Sequence, residues 1–182
     1  MPYDEQKLKS IGRSSAIFIS VAGVIVIAGW QFRIGVMRGE LLGTYIAPNT
    51  ALFLLVSGIS ILLQSSRYKL VQWLGSVLSV PVFMFALATF IERTTNADFG
   101  IDAVFMAHRM SDWKGIPYPG RYSITTSINF MLTGLCLATL RLPRKRVAPD
   151  YFAAAIATIC YFGIIGFIYK ASILYGLKST PD

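Results

Sequence analysis

The chain has 182 residues, 54% of them hydrophobic and only 14% charged, with a mean hydropathy of +0.57. Soluble domains carry about 25% charged residues, so this composition points to an integral membrane protein and away from a water-soluble enzyme. A net charge of +8 would suggest nucleic acid in a soluble protein. Here the basic residues gather at the ends of apolar runs and in short loops, where membrane topology puts them, so no nucleic-acid partner is expected.

A membrane helix needs roughly 20 apolar residues, and five stretches reach or approach that length: 14–32, 49–63, 70–91, 125–140 and 151–171. The first follows Lys7, Lys9 and Arg13 as a signal peptide would. Its Trp30-Gln31-Phe32-Arg33 end is nothing like a small-residue cleavage site, so it reads as a retained first helix. In the loop after it, Gly35, Gly39 and Gly43 recur every four residues. On a helix they would form a smooth ridge for close backbone packing; as ordinary loop glycines they carry no such meaning.

The second stretch opens with Pro48-Asn49-Thr50. A proline at the first helical position and a capping Asn or Thr suit a chain turning back into lipid, where exposed amides must find partners. The third carries Pro81 in its middle, which should kink it. Apart from Lys170, close enough to a helix end to snorkel, none of the five stretches contains Asp, Glu, Lys, Arg or His, an argument against a proton-coupled carrier or ion pump.

The long loop 92–124 is not featureless. Over 99–110 a helix would place Ile101, Val104, Phe105 and the single histidine, His108, on one face, as in a short helix lying on a membrane surface, with Asp98 as its N-cap. One histidine excludes paired-histidine haem and makes a zinc cage a poor reading. Asp102, His108, Arg109 and Arg121 are the candidate ligand or partner contacts on this face. Cys136 and Cys160 lie within the fourth and fifth stretches, where free cysteine packs as a small hydrophobe. Between those stretches Arg141, Arg144, Lys145 and Arg146 form the densest basic cluster, a topology anchor that also suits anionic lipid or an acidic partner.

With the amino terminus cytoplasmic, the inner segments hold nine Lys/Arg and three acids, against eight and six in the longer outer segments. That density favours an inside amino terminus and, over five spans, an outside carboxyl terminus. The chain also repeats itself at an offset of 76 residues: 45–52 aligns with 121–128, Gly58 with Gly134, and 99–101 with 175–177. The Thr50 and Thr126 positions open the two copies, and Gly58 and Gly134 are expected to pack helices. The expected fold is therefore an all-α integral membrane protein with five transmembrane helices, built as one membrane domain over 1–182. A first helix at 14–32 precedes a two-helix repeat at 44–118 and a truncated second copy at 119–177, with short interfacial helices in the outer loops.

These motifs resemble the multi-spanning N-terminal sensor region of bacterial histidine kinases and diguanylate cyclases, with its phrase Gly-Arg-Met-Ser-Pro-Asn-Thr-Ala-Leu-x-Phe-x-Leu-x-Gly. The first copy keeps Pro48-Asn49-Thr50-Ala51-Leu52 and Gly58; the second keeps Pro119-Gly120-Arg121, Ser123, Thr126, Asn129-Phe130, Leu132 and Gly134, with Tyr122 in place of Met. Gly100-Ile101-Asp102, Gly166-Phe167-Ile168-Tyr169 and Leu174-Tyr175-Gly176 extend the likeness over about 43–177. The resemblance implies an input module of the bacterial inner membrane. The output domains of that family are not in this sequence, and a complete chain of this kind would have to act through other polypeptides.

No nucleophile with its base, carboxylate dyad or phosphate-cradling loop is recognisable, so no enzymatic activity and no cofactor are expected. The expected partners are membrane lipid and other membrane proteins. Two readings stand: a sensor-type module that passes a cue laterally, and an accessory subunit of a larger respiratory or photosynthetic complex.

Overall fold

The computed structural model describes residues 2–40, 45–95, 97–101, 104–106, 108–109, 122–141 and 149–169, with side chains from residue 6 onward. All regular structure among them is helical: α1 (Pro2–Gln31), α2 (Gly35–Arg38), α3 (Pro48–Gln64), α4 (Lys69–Thr95), α5 (Ile124–Thr139) and α6 (Pro149–Ile168). Three segments are long and apolar enough to cross a membrane, Gln6–Gln31, Lys69–Thr95 and Pro149–Ile168. The apolar α3 and α5 are shorter, at 17 and 16 residues. This is compatible with a membrane protein, as is the apolar outer surface: Phe18, Trp73, Met84, Phe162 and Ile164 are all exposed.

The helices follow one another side by side: α1 packs on α3, α3 on α4, α4 on α5 and α5 on α6. We call the end where α1 and α4 finish and α3 and α5 begin the upper end, and the opposite one the lower end. Glycine sets how closely the rods approach. A Cβ built on Gly23 of α1 would lie 2.7 Å from the Ala51 carbonyl oxygen, and one on Gly58 of α3 would lie 2.7 Å from that of Ala16. Gly134 of α5 would meet the Phe83 backbone nitrogen at 2.9 Å. Gly58 and Gly134 thus do the packing work expected of them, each against the backbone of a neighbouring helix.

Between α3, α4 and α5 sits an aromatic core. Phe53, Val82, Ala86, Tyr122 and Phe130 are buried together. The Phe53 ring lies 4.9 Å from Phe85 and 5.7 Å from Phe130, centroid to centroid, in tilted geometries that favour ring edges over faces. Below it the helices are joined by polar groups. Ser60 Oγ donates to the Gly75 carbonyl at 2.7 Å, and Gln64 Nε2 donates to the Leu137 carbonyl at 3.0 Å. Helix α4 runs unbroken through Pro81; the proline withholds one donor from the preceding turn without ending the helix.

Several sequence expectations need correction. Helix α3 begins at Pro48 as predicted, but its cap position is Ala47, which has no polar side chain; Asn49 and Thr50 are already helical, and Asn49 is buried at 1% exposure. At α5 the cap is Ser123, whose Oγ accepts the Thr126 N–H at 3.1 Å. The Thr126 hydroxyl also lies 2.9 Å from Ser123 Oγ, a side-chain contact that holds the capping hydroxyl in place. The glycine ridge does not form: α2 is one turn that ends at Gly39, whose φ of 92° is left-handed and suits a residue without Cβ. Gly43 lies outside the described residues. The surface helix over 99–110 is also absent among the described residues, because Gly100 and Met106 adopt φ of 68° and 59° and break the helical path. Asp98 still caps locally, its Oδ1 accepting the Gly100 N–H at 3.0 Å.

Candidate functional site

Polar chemistry concentrates at the upper end. Trp30, in the last turn of α1, is fully buried, and its Nε1 donates to the Ile46 carbonyl at 2.9 Å. The Ile46 N–H donates in turn to the Arg38 carbonyl at 2.9 Å, so the loop leaving α1 is stitched to the segment that starts α3. The Arg38 guanidinium sits 5.0 Å from the Trp30 ring centroid and pairs with Glu40. A cation over an indole face away from bulk water contributes up to about 2 kcal/mol. Val26, Trp30 and Ala51 form a second apolar cluster against which Met106 packs. Met106 of the long loop thus lies against α1 and α3.

Trp30→Phe should lower the thermal midpoint of the detergent-solubilised protein by an amount equivalent to about 1–2 kcal/mol, the loss of one buried hydrogen bond and a weakened cation–π contact. Its emission should also lose a blue-shifted component contributed by the buried indole. An unchanged midpoint would show that the stitch is dispensable.

Across the bundle, the upper end of α4 carries Glu92, fully buried. Glu92 Oε1 accepts the Phe99 N–H at 2.7 Å, a bond that ties the start of the long loop back onto the helix it leaves. The neighbouring Arg93 donates from Nε to the Tyr122 carbonyl at 3.2 Å, tying α4 to the segment before α5. Glu92 and Arg93 thus grip the two ends of one loop. A carboxylate away from water is expensive unless bonded, so its presence marks this layer as built for more than apolar packing.

Of the residues singled out from the sequence, His108 is exposed and Arg109 half-buried, its N–H donating to the Met106 carbonyl at 2.8 Å. Asp102 and Arg121, the other two proposed contacts, lie outside the described residues. Sequence reasoning missed Glu92, because the apolar run ends one residue before it. A signal was nevertheless present. Gly75, Ser79, Val82, Ala86, Thr89 and Glu92 recur every three or four residues and are all buried. Followed one step further, this stripe of mostly small residues ends on the carboxylate.

No protein-family model matches the chain, and neither a curated protein nor a solved structure matches it. The site must therefore be read from its own chemistry.

Proposed function

We propose that the chain is a five-span, non-catalytic protein of the bacterial inner membrane that works through lateral contacts with other membrane proteins and lipid, in the manner of a sensor input module. Five spans require α3 and α5 to cross as well. At 1.5 Å per residue they fall short of a roughly 30 Å hydrocarbon core, and flanking residues complete them. Their side-by-side packing with α1, α4 and α6 supports this. The 76-residue duplication draws support from the helix starts, Pro48 and Ile124, which are that far apart, and from the matched glycines Gly58 and Gly134. The upper end is then the outer face, with the amino terminus cytoplasmic and the carboxyl terminus periplasmic.

The observation that carries the reading is the buried Glu92 bonded to the outer loop. A cue that moves the loop would pull on the buried carboxyl group bonded to it at the end of α4, and α4 contacts both α3 and α5. The coupling is mechanical and requires no reaction. A second reading, an accessory subunit of a larger membrane complex, is favoured by α6, which packs chiefly on α5 and leaves Tyr161, Phe162, Ile164 and Phe167 exposed.

Native membranes solubilised in mild detergent and resolved by size separate the two. Recovery of the chain alone or with a signalling protein supports the input module. Stoichiometric recovery within a large complex overturns it in favour of the subunit reading. A cytoplasm-only reporter that is active when fused after Asp182 would overturn the proposed orientation.

A further inference from the structure

The lower end holds a feature that the proposed function does not use, a shallow cleft of about 250 Å³ between the ends of α3 and α5. Its walls are Ile61, Gln64 and Ser65 from α3 and the turn after it, and Leu140 and Arg141 from the end of α5. Ile61 and Leu140 are apolar, Gln64 and Ser65 polar, and Arg141 cationic and exposed. Arg67 in the following turn and Lys69 at the start of α4, both exposed, lie at the same end.

The hydrogen bonds already made in the cleft define what it can still offer. Gln64 Nε2 gives its hydrogens to Ser60 Oγ and the Leu137 carbonyl, and Ser65 Oγ donates to the Ile61 carbonyl. The Ser65 and Ser66 N–H groups are spent on the last carbonyls of α3. What remains at the surface is acceptor capacity on the exposed Ser65 Oγ, beside the guanidinium of Arg141; Gln64 Oε1 has no hydrogen-bond partner but is closed off from the surface. A ligand that fits must bring a hydroxyl donor and a negative charge together. The basic surroundings disfavour an ammonium donor, and the apolar side chains favour an attached hydrocarbon.

We infer that this cleft binds the phosphoglycerol headgroup of an anionic lipid, with the phosphate on Arg141, a glycerol hydroxyl donating to Ser65, and the acyl chain along Ile61 and Leu140. Basic sites between membrane helices hold anionic headgroups in this way. The inference rests on the membrane-spanning reading, which is tested separately by alkaline carbonate: release of the chain from membranes overturns the spans.

The lipid test uses the full chain purified in detergent with added phosphatidylglycerol or phosphatidylcholine, with bound lipid counted by native mass spectrometry. Arg141→Gln should reduce phosphatidylglycerol affinity about fivefold, the effect of one surface cation on an anionic headgroup. Arg13→Gln, which removes an exposed arginine at the same end, should leave it unchanged. Equal retention of phosphatidylglycerol by Arg141→Gln, or of phosphatidylcholine by the parent chain, overturns the assignment. Displacement of the lipid by millimolar glycerol 1-phosphate overturns the lipid as occupant in favour of a soluble phosphate ester.

Discussion

The Gly58→Leu variant should separate α1 from α3 and cost the folded protein about 1–3 kcal/mol, the usual range for overpacking a close contact. The neighbouring atoms argue for the upper half of that range. An added Cβ would meet Ser20 Oγ and would lie 2.7 Å from the Ala16 carbonyl oxygen. A serine hydroxyl can rotate away, but a helix backbone cannot. Relief therefore requires the two rods to part along their length, which also strains the equally close contact of Gly23 with Ala51 and Leu55. Gly134→Leu should behave alike, because its obstacle is the backbone of Phe83. Gly163→Leu is the control, since nothing lies within 4 Å of the position where its Cβ would be built; it should be neutral. Unfolding titrations in mixed detergent would read these differences as shifts of the midpoint. Equal midpoints for Gly58→Leu and Gly163→Leu would remove close packing of α1 on α3 as a source of stability.

The second large effect is expected at Glu92. Glu92→Leu deletes the acceptor for the Phe99 N–H inside a site with no exposure. A hydrogen bond contributes about 0.5–1.5 kcal/mol, and a buried N–H left without its acceptor costs about 1–3 kcal/mol in desolvation. Glu92→Gln keeps a carbonyl oxygen at nearly the same place and should lose only a fraction of this. The difference should be local before it is global. In hydrogen exchange, the Phe99 amide should lose protection in Glu92→Leu and retain most of it in Glu92→Gln. Trypsin cleavage after Arg93 should accelerate in the same order. If both variants leave the Phe99 amide protected, the carboxylate is not what fastens the loop, and the proposed coupling between loop and α4 loses its basis.

The helices were legible from composition because long apolar runs admit few alternatives. The limits of four of them fall close to the predicted stretches, whereas α1 begins at Pro2, well before the predicted start at residue 14, because its polar, charged first turns carry no apolar signal. Gly58 and Gly134 were legible for a related reason. A glycine inside an apolar helix has a cost that is most easily offset by close packing. The errors cluster where local signals compete. Asn49 and Thr50 have good capping chemistry, but Pro48 fixes the helix start and leaves them two and three residues past the cap position at Ala47. In the second copy no proline intervenes, and Ser123 takes that role. The pattern Gly35, Gly39, Gly43 is periodic, yet Gly39 tolerates the left-handed backbone that ends a helix, and here that property outweighs the spacing. Over 99–110 the apolar periodicity is genuine, but Gly100 and Met106 in left-handed conformations break the helix it would need. Glu92 was hidden because a charge at the end of an apolar run ordinarily marks water. Only its place on the buried stripe of α4 shows that it turns inward.

The distribution of cross-links gives the bundle unequal ends. At the lower end, serine and glutamine join one helix directly to the next, Ser60 to Gly75 and Gln64 to Leu137. At the upper end, Trp30, Glu92 and Arg93 bond mainly to the connecting segments. Such a bundle resembles a pair of tongs, jointed at the bottom and held at the tips by straps. Displacing a strap is then expected to loosen the tips with little disturbance at the joint. Lengthening a connecting segment and replacing a helix–helix hydrogen bond are thus different interventions: the first adjusts the resting gap, the second the stiffness of the joint.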